Sequence, residues 1–446
     1  MILHGILAAL ALLSLGLTLW QWLAARRFPL HQRIADKSFA SPVTLLKPLK
    51  DADEYTETCL RSWFTQDYGG EVQVLFTVAD AADPVCEIVN KLLREFPQRD
   101  AQLVVCAESR GVNAKVSKLA QLQSLAKHSV LVISDADVRV PPDLLANLVV
   151  AFQSGSQRTT SENGSEEPQG LGVRQSPGAF VAGPHTSKAP EDWRTPGRSR
   201  AHQPVGLANC FYCLANPATL AMRCEAVAIN ADFWSQVLQS RDVKPLDFAL
   251  GAVMAVRRES LDQIGGFAAF ADHLADDYQL GNRVARADWR IELCPVVVEC
   301  WDPPKSWRAV WAHQLRWART IRVCQPLPYF FSILSNATLW PLLWALASIP
   351  NISMESHRVA EGATFAVIHV SAGIVLGFVL MALRIVIAQN LQSRLTRSIE
   401  HAVFFWLVPV KDLMQAAVWL LAFTGNRIEW RGERYRLRRD GRLEKA

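Results

Sequence analysis

The stretch Val130-Leu-Val-Ile-Ser-Asp-Ala-Asp137 decides the fold. Its four leading apolar residues form a short uninterrupted run, the pattern of a strand buried on both faces. Outward from it, Val43 to Leu46, Val72 to Val78 and Gln102 to Cys106 read as further buried strands. Between them, Pro84 to Phe96 and Lys115 to Lys127 carry apolar residues at helical spacing, with Pro84 at a first helical position. Strand–helix–strand alternation predicts an α/β domain built on a parallel sheet with right-handed crossovers. Ligands of such sheets bind at the carboxyl ends of the strands. Two strands end there in acids, Val78-Ala-Asp80 and Ile133-Ser-Asp-Ala-Asp137, and Phe248 to Val256 reads as one more buried strand.

The 446 residues are 50% hydrophobic and 20% charged, and the apolar excess gathers at the N-terminus and in the last third. That distribution excludes a small disulfide scaffold, a disordered chain and a coiled coil, and indicates a membrane protein with one large water-facing domain. Ile2 to Ala25 is long enough to cross a bilayer, lacks a basic leader and is followed by Arg26 and Arg27. Residues 1–27 are therefore expected to be an uncleaved anchor with its N-terminus outside. The domain at 40–325 would then face the cytoplasm. Within it, 154–203 is rich in Ser, Gly, Pro and charge and reads as a disordered insertion, and 301–323, rich in Trp and Arg, as an amphipathic helix at the membrane surface.

Residues 327–424 hold three apolar segments, near 327–350, 364–387 and 402–423, the last interrupted by Lys411 and Asp412. Charges are costly in lipid. Four full spans would also carry the arginine-rich end, 425–446, outside, against the positive-inside tendency. The third segment is accordingly expected to be re-entrant or interfacial, and 425–446 a basic cytoplasmic tail. The net charge of +5 comes without a long face of interleaved basic and aromatic residues, so nucleic acid is not an expected partner. The nine scattered cysteines, including Cys210 and Cys213, read as buried thiols in a reducing compartment.

Three constellations carry chemistry. Asp135 and Asp137, one residue apart in extended backbone, would point the same way and hold a hard divalent cation, leaving positions for phosphate oxygens. Asp276 and Asp277 follow the glycines Gly265 and Gly266, and this second acidic site would supply a general base. In His313-Gln-Leu-Arg-Trp317, Arg316 offers a planar fork for a diphosphate and Trp317 a stacking face.

Taken in order, Leu45-Leu-Lys-Pro-Leu-Lys50, Gln66-Asp-Tyr68, Val78-Ala-Asp80, Gly111-Val-Asn-Ala-Lys115, Ser134-Asp-Ala-Asp137, Gly265-Gly-Phe267, Ala275-Asp-Asp-Tyr278 and His313 to Trp317 resemble the ceramide glucosyltransferase family, glycosyltransferase family 21. Asp247-Phe-Ala-Leu-Gly251 and the run from His313 to Thr320 are similar to a bacterial branch of hopanoid N-acetylglucosaminyltransferases. The resemblance implies a GT-A domain between an N-terminal transmembrane helix and C-terminal membrane helices, in a bacterial inner membrane. It implies an inverting transfer of a hexose from a UDP-sugar, UDP-glucose or UDP-N-acetylglucosamine, to the hydroxyl of a membrane lipid, ceramide or hopanoid. Asp80 would contact the uridine end of the donor, with Lys115, His313, Arg316 and Trp317 also binding substrate. Asp135 and Asp137 would hold Mg2+ or Mn2+, and Asp277 would be the catalytic base. His313 departs from the family's (Gln/Arg)-x-x-Arg-Trp pattern. The alternatives are a processive polysaccharide synthase and a non-catalytic membrane protein that binds nucleotide-sugar.

Overall fold

The structure, a computed structural model, describes residues 2–155, 203–349, 362–430 and 433–445. The insertion expected at 154–203 lies, apart from its edges, outside the described residues.

An apolar helix, α1 (Ile2–Arg27), leads into β1 (Val43–Pro48), α2 (Thr56–Phe64), β2 (Val72–Val78), α3 (Val85–Glu95), β3 (Asp100–Val105), α4 (Ala114–Leu122) and β4 (Val130–Ser134). Then come β5 (Val138–Arg139), α5 (Leu144–Val149), β6 (Val205–Leu214), α6 (Leu220–Val227) and α7 (Trp234–Val243), the last two joined through a π-helical turn, Ala228–Phe233. β7 (Val253–Arg257), α8 (Arg258–Gln263), α9 (Asp276–Arg286), β8 (Arg290–Cys300) and α10 (Trp307–Cys324) complete the domain.

The eight strands run β3-β2-β1-β4-β7-β6-β8-β5. The first four are parallel, as their unbroken apolar runs predict. The other half is mixed: β7 is antiparallel to β4 and β6, β6 parallel to β8, and β8 antiparallel to β5. The parallel expectation holds for β1 to β4, and the later strands add antiparallel pairs to it. The chain winds outward from β1 to β3, then crosses back to set β4 on the other side of β1, so the sheet's switch point lies between β1 and β4. Ligands of open α/β sheets bind in the crevice at such a point. Three predicted elements are shifted. The helix expected over 115–127 ends at Leu122, the strand expected from Phe248 begins at Val253, and the helix expected over 301–323 starts at Trp307, where Ser306 caps it by accepting from the Ala309 N–H at 3.3 Å.

α1 and residues Ala372–Thr396 of α13 (Gly362–Thr396) are long and apolar enough to cross a membrane. The segment expected at 327–350 is not one straight span. α11 (Pro326–Phe331), continued by a 3-10 turn to Ser335, meets α12 (Leu339–Ala347) at a 49° bend. The last apolar segment forms α14 (Leu407–Ala422), 16 residues long. At ~1.5 Å per residue it falls short of a bilayer's ~30 Å hydrocarbon core.

Lys411 and Asp412, which look so costly in sequence, are buried in a closed ionic cluster. Arg384 donates to Asp232 at 2.9 Å and to Asp412 at 2.9 and 3.0 Å. Lys411 bridges Asp412 at 2.5 Å and also binds Asp232. At the bend between α11 and α12, Thr338 donates to the Asp412 carboxylate at 2.6 Å and Asn336 to its carbonyl at 2.7 Å. Two acids and two bases cancel, and hydrogen bonds occupy the remaining lone pairs, the condition under which buried charge is tolerated. The cluster fastens the π-helical turn of the α/β domain to α13 and α14.

The C-terminal residues are not a solvated tail. They form an antiparallel sheet of β9 (Arg427–Trp430), β10 (Glu433–Leu437) and β11 (Leu443–Lys445). Ile428, Leu437 and Leu443 pack with Leu274, while Arg434, Arg436, Arg438 and Arg442 are exposed. Strand alternation thus hides beneath the charge run.

Asp232→Ala leaves two cations facing one buried carboxylate. A loss of about 3–5 kcal/mol is expected for breaking such a group, read as a marked fall in Tm in detergent, and an unchanged Tm would remove the cluster's anchoring role.

Candidate active site

Lys115 lies at the centre of the site. Asn113 caps α4 by accepting from the Lys115 and Val116 N–H groups at 3.0 and 3.2 Å, and it donates to the His273 carbonyl at 2.8 Å. Gly111 just before it has φ +140°, and a Cβ there would meet the Ala271 side chain at 2.5 Å. The start of α4 is therefore seated against the loop that precedes α9. Lys115, nearly buried, bridges Asp135 at 2.8 Å and Asp276 at 3.0 Å. Burial alone would make its ammonium easier to deprotonate, but the two carboxylates outweigh that and hold its pKa above the ordinary value.

With Asp276 engaged, Asp277 is the free member of the pair. Its carboxylate accepts from the Tyr278 N–H at 2.7 Å, and a Cβ at Gly251 would come within 3.0 Å of its other oxygen. Burial first, then the charge of Asp276, pushes its pKa to about 6, against the pull of Lys115.

Asp135 and Asp137 do not lie in extended backbone as expected. Ala136 and Asp137 form the turn between β4 and β5. The carboxylates still feel one another: burial, then Asp135 and Asp302, push Asp137 up to about 7. Beneath them Lys47 is fully buried in β1, donating to Ser134 Oγ at 3.2 Å and to the Asp135 carbonyl. Burial lowers its pKa to about 8 despite both aspartates. Among the described residues no three His, Cys, Asp or Glu side chains are gathered as a metal cage. Asp137, held partly protonated beside the Lys115-paired Asp135, nonetheless fits a hard cation that takes one or two carboxylates and completes its shell with phosphate and water.

A cavity of about 520 Å³ opens beside this cluster at the ends of β1 and β2. Asp80, Asp83, Lys50 and Lys118 line it, together with Trp430 and Tyr435 of the C-terminal sheet. Lys115 and Lys118 stand one turn apart on α4, so the cavity and the carboxylate cluster share that helix.

On α10, His313 Nδ1 sits 2.6 Å from Glu225 Oε1, which also accepts from Gln314 at 3.0 Å. Glu225 is buried on α6; burial opposes its ionisation, yet His313, Lys305 and Gln314 together hold its pKa below the ordinary value. The His313 ring lies 4.7 Å from Trp317, edge to face, and Trp317 packs on Phe233 at 6.1 Å, which packs on Tyr212 at 5.5 Å. The Tyr212 phenol feels Asp277, Asp135 and Asp137, so this aromatic row runs from α10 to the carboxylates. Arg316, partly buried, lies on the same helix beside Trp317.

The structure thus gathers Lys115, Asp135, Asp137 and Asp277, puts Asp80 at the cavity, and joins His313 and Trp317 through Glu225 and Phe233. Sequence reading assigned no role to Lys47, Glu225, Gly251, Tyr212, Trp430 or Tyr435. Lys47 stands inside a motif already noticed, whereas Glu225 sits in an ordinary helical pattern that gives no sign of its partner.

Fold and site define an α/β domain with a carboxylate cluster near the switch point of its sheet, flanked by helices apolar enough to cross a membrane. The model of glycosyl transferase family 21 matches residues 6–161 and 198–443, and the chain belongs to that family. A ceramide glucosyltransferase of Candida albicans is 30% identical over 144 residues, 30% of this chain and 26% of that protein. Ceramide glucosyltransferase 3 of Caenorhabditis elegans is 22% identical over 271 residues, 60% of this chain and 48% of that protein. The matches therefore span between a quarter and about half the length of these relatives. Among solved structures, the mannosyltransferase PcManGT of Pyrobaculum calidifontis, in complex with GDP-Man and Mn2+, aligns over 94% of this chain and 99% of its own with a TM-score of 0.47 and 18% identity. Glucosyl-3-phosphoglycerate synthase of Mycobacterium tuberculosis, with Mn2+ and UDP-glucose, aligns over 67% and 88% with a TM-score of 0.34 and 14% identity.

Lys115→Met would leave Asp135 and Asp276 facing each other without a cation. The variant is expected to melt several degrees lower, by the usual cost of an unpaired buried charge, and added Mn2+ should raise its Tm more than that of the wild type. Equal Mn2+ shifts would detach Asp135 from cation binding.

Proposed function

We propose that the protein is an inverting, cation-dependent hexosyltransferase that moves one sugar from a UDP-sugar to the hydroxyl of a membrane lipid. The observation that carries the reading is Asp277, a carboxylate set free by the Lys115–Asp276 pair, tuned toward neutrality and beside a cation-fitting acidic pair. A general base works best with a pKa near the working pH. Asp277 would take the proton from the acceptor hydroxyl as its oxygen attacks the anomeric carbon, and the bond from that carbon to the donor diphosphate would break on the opposite face. A cation on Asp135 and Asp137 would neutralise the diphosphate as it leaves.

The donor nucleoside would occupy the cavity beside Asp80, with its diphosphate running along α4 toward Lys115. His313, its ring held by Glu225, and Arg316 and Trp317 on α10 would border the acceptor side. The relatives' names support glucose and ceramide as the pair to try first. UDP-N-acetylglucosamine with a hopanoid polyol is the competing pair, supported by the similarity around Asp247 to Gly251. The apolar helices flanking the domain support an acceptor delivered from the bilayer, with the domain on the cytoplasmic side where nucleotide sugars are made.

Purified protein in detergent with Mg2+ or Mn2+, offered both donors against both lipids, is expected to yield one glycolipid identifiable by mass. UDP binding without transfer to either lipid would overturn the acceptor class. Asp277→Asn is expected to reduce turnover at least about a thousandfold, a typical scale for losing an acid–base group, while UDP affinity changes little. Near-normal turnover would move the base elsewhere.

Asp277 acts as a base only when ionised, and its pKa is raised in the unloaded site, so kcat/KM, which reports the free enzyme, should fall as pH drops through about 6. The charges around it are Asp276, Lys115 and Asp135, with the Tyr212 phenol and the Cys324 thiol also within its field. A flat profile from pH 5 to 7 would exclude this assignment.

A further inference from the structure

We propose that the C-terminal sheet β9–β11 is the base-recognising wall of the donor site, with Trp430 and Tyr435 as the residues that meet a planar nucleobase; this rests on the donor reading above. The two rings line the same cavity as Asp80 and Asp83. Their centroids are 6.3 Å apart and their planes inclined at 59°, so they do not close on each other as a parallel stack. The same cavity carries four carboxylates, Asp51, Asp80, Asp83 and Glu433, among small apolar side chains. Asp80 accepts from the Ala82 N–H at 2.9 Å, and Asp83 from the Val85 and Asp51 N–H groups at 3.0 and 3.1 Å. These bonds fix both carboxylates and leave lone pairs for the N–H and hydroxyl donors of a nucleoside. Lys50, 4.0 Å from Asp51, and Lys118, which donates to the Leu49 carbonyl, place positive charge beside these acids, where the phosphate that follows would run. Aromatic face, carboxylate acceptors and ammonium groups around about 520 Å³ match the three parts of a nucleoside diphosphate.

The sheet is held where a recognition wall must be held. Leu443 N–H donates to the Asp272 carbonyl at 2.8 Å, and His273 pairs with Arg442 in an antiparallel bridge. On the other side Arg319 reaches the Arg427 carbonyl and Arg322 the Asn426 side chain. The wall is thereby joined to the loop that leads into Asp276 and Asp277 and to the helix that carries His313 to Trp317.

The test uses full-length protein in detergent and two probes, UDP and inorganic pyrophosphate, measured by calorimetry. Trp430→Ala and Tyr435→Ala should each weaken UDP by about fivefold or more, the scale of losing an aromatic contact to a base. Pyrophosphate affinity should stay within about twofold, and Tyr435→Phe should bind UDP as the wild type does. Should the alanine variants fold poorly, Trp430→Leu and Tyr435→Leu keep apolar bulk but remove the aromatic face, and the same loss is expected. Wild-type UDP binding that survives all these changes overturns the wall and leaves the donor reading intact. Parallel loss of UDP and pyrophosphate overturns it too, because the sheet would then only shape the loop near Asp276. A wild type that binds neither probe overturns the donor reading itself, and the wall with it.

Discussion

The site depends on one buried cation. Lys115 sits between Asp135, at the end of β4, and Asp276, at the start of α9. A buried ammonium is tolerated only when paired and hydrogen-bonded. Each segment that brings a partner must therefore arrive in register, and the local devices serve that end. Asn113 closes the start of α4 and ties it to His273. Gly111 lets its backbone approach Ala271 where any side chain would collide. Asp276 is consumed by the pairing, and that leaves Asp277, its neighbour in sequence, as the carboxylate free to do chemistry.

A second ionic group transmits order from the membrane helices. Asp232 belongs to the π-helical turn between α6 and α7, and Arg384 and Lys411 hold it from α13 and α14. About two turns earlier on that path, Glu225 holds His313. The position of α10 beside the site is thus set by contacts on two sides, the membrane cluster through α6 and the C-terminal sheet through Arg319 and Arg322. π turns are often found at functional sites, and here the turn places both Asp232 and Phe233, the latter against Trp317.

How much of this was legible in sequence follows from how local each signal is. The strands β1 to β4 announce themselves by apolar runs because both of their faces are covered. The half-sheet of β6, β7 and β8 is assembled by long-range pairing, and no local period records that β7 runs against β4. Asp135, Asp137 and Asp277 were identifiable because acids at strand ends and after glycine turns are unusual where they stand. Glu225 was not, since its meaning lies entirely in a partner 88 residues away. Lys411 and Asp412 were read as a cost because their compensating charges, Asp232 and Arg384, are equally remote. The C-terminal arginines hid Ile428, Leu437 and Leu443, whose alternation is that of strands, since charge dominates composition whereas burial depends on every second residue.

The charge balance of the site explains why its parts would act in sequence. Asp276 is neutralised by Lys115, whereas Asp137 and Asp277 are left short of positive charge and hold their protons more tightly than ordinary aspartates. Lys47 below, although burial lowers its pKa to about 8, stays mostly protonated at neutral pH and offsets part of the charge on the acidic pair. Under the function proposed above, such a site would accept a divalent cation together with a diphosphate. Once that cation occupied the side of Asp135 and Asp137, the negative field felt by Asp277 would fall, and its carboxylate would ionise more readily. Asp277, mostly ionised at neutral pH even in the unloaded site, would then stay ionised to lower pH, so the base would be ready whenever the donor and its cation are in place.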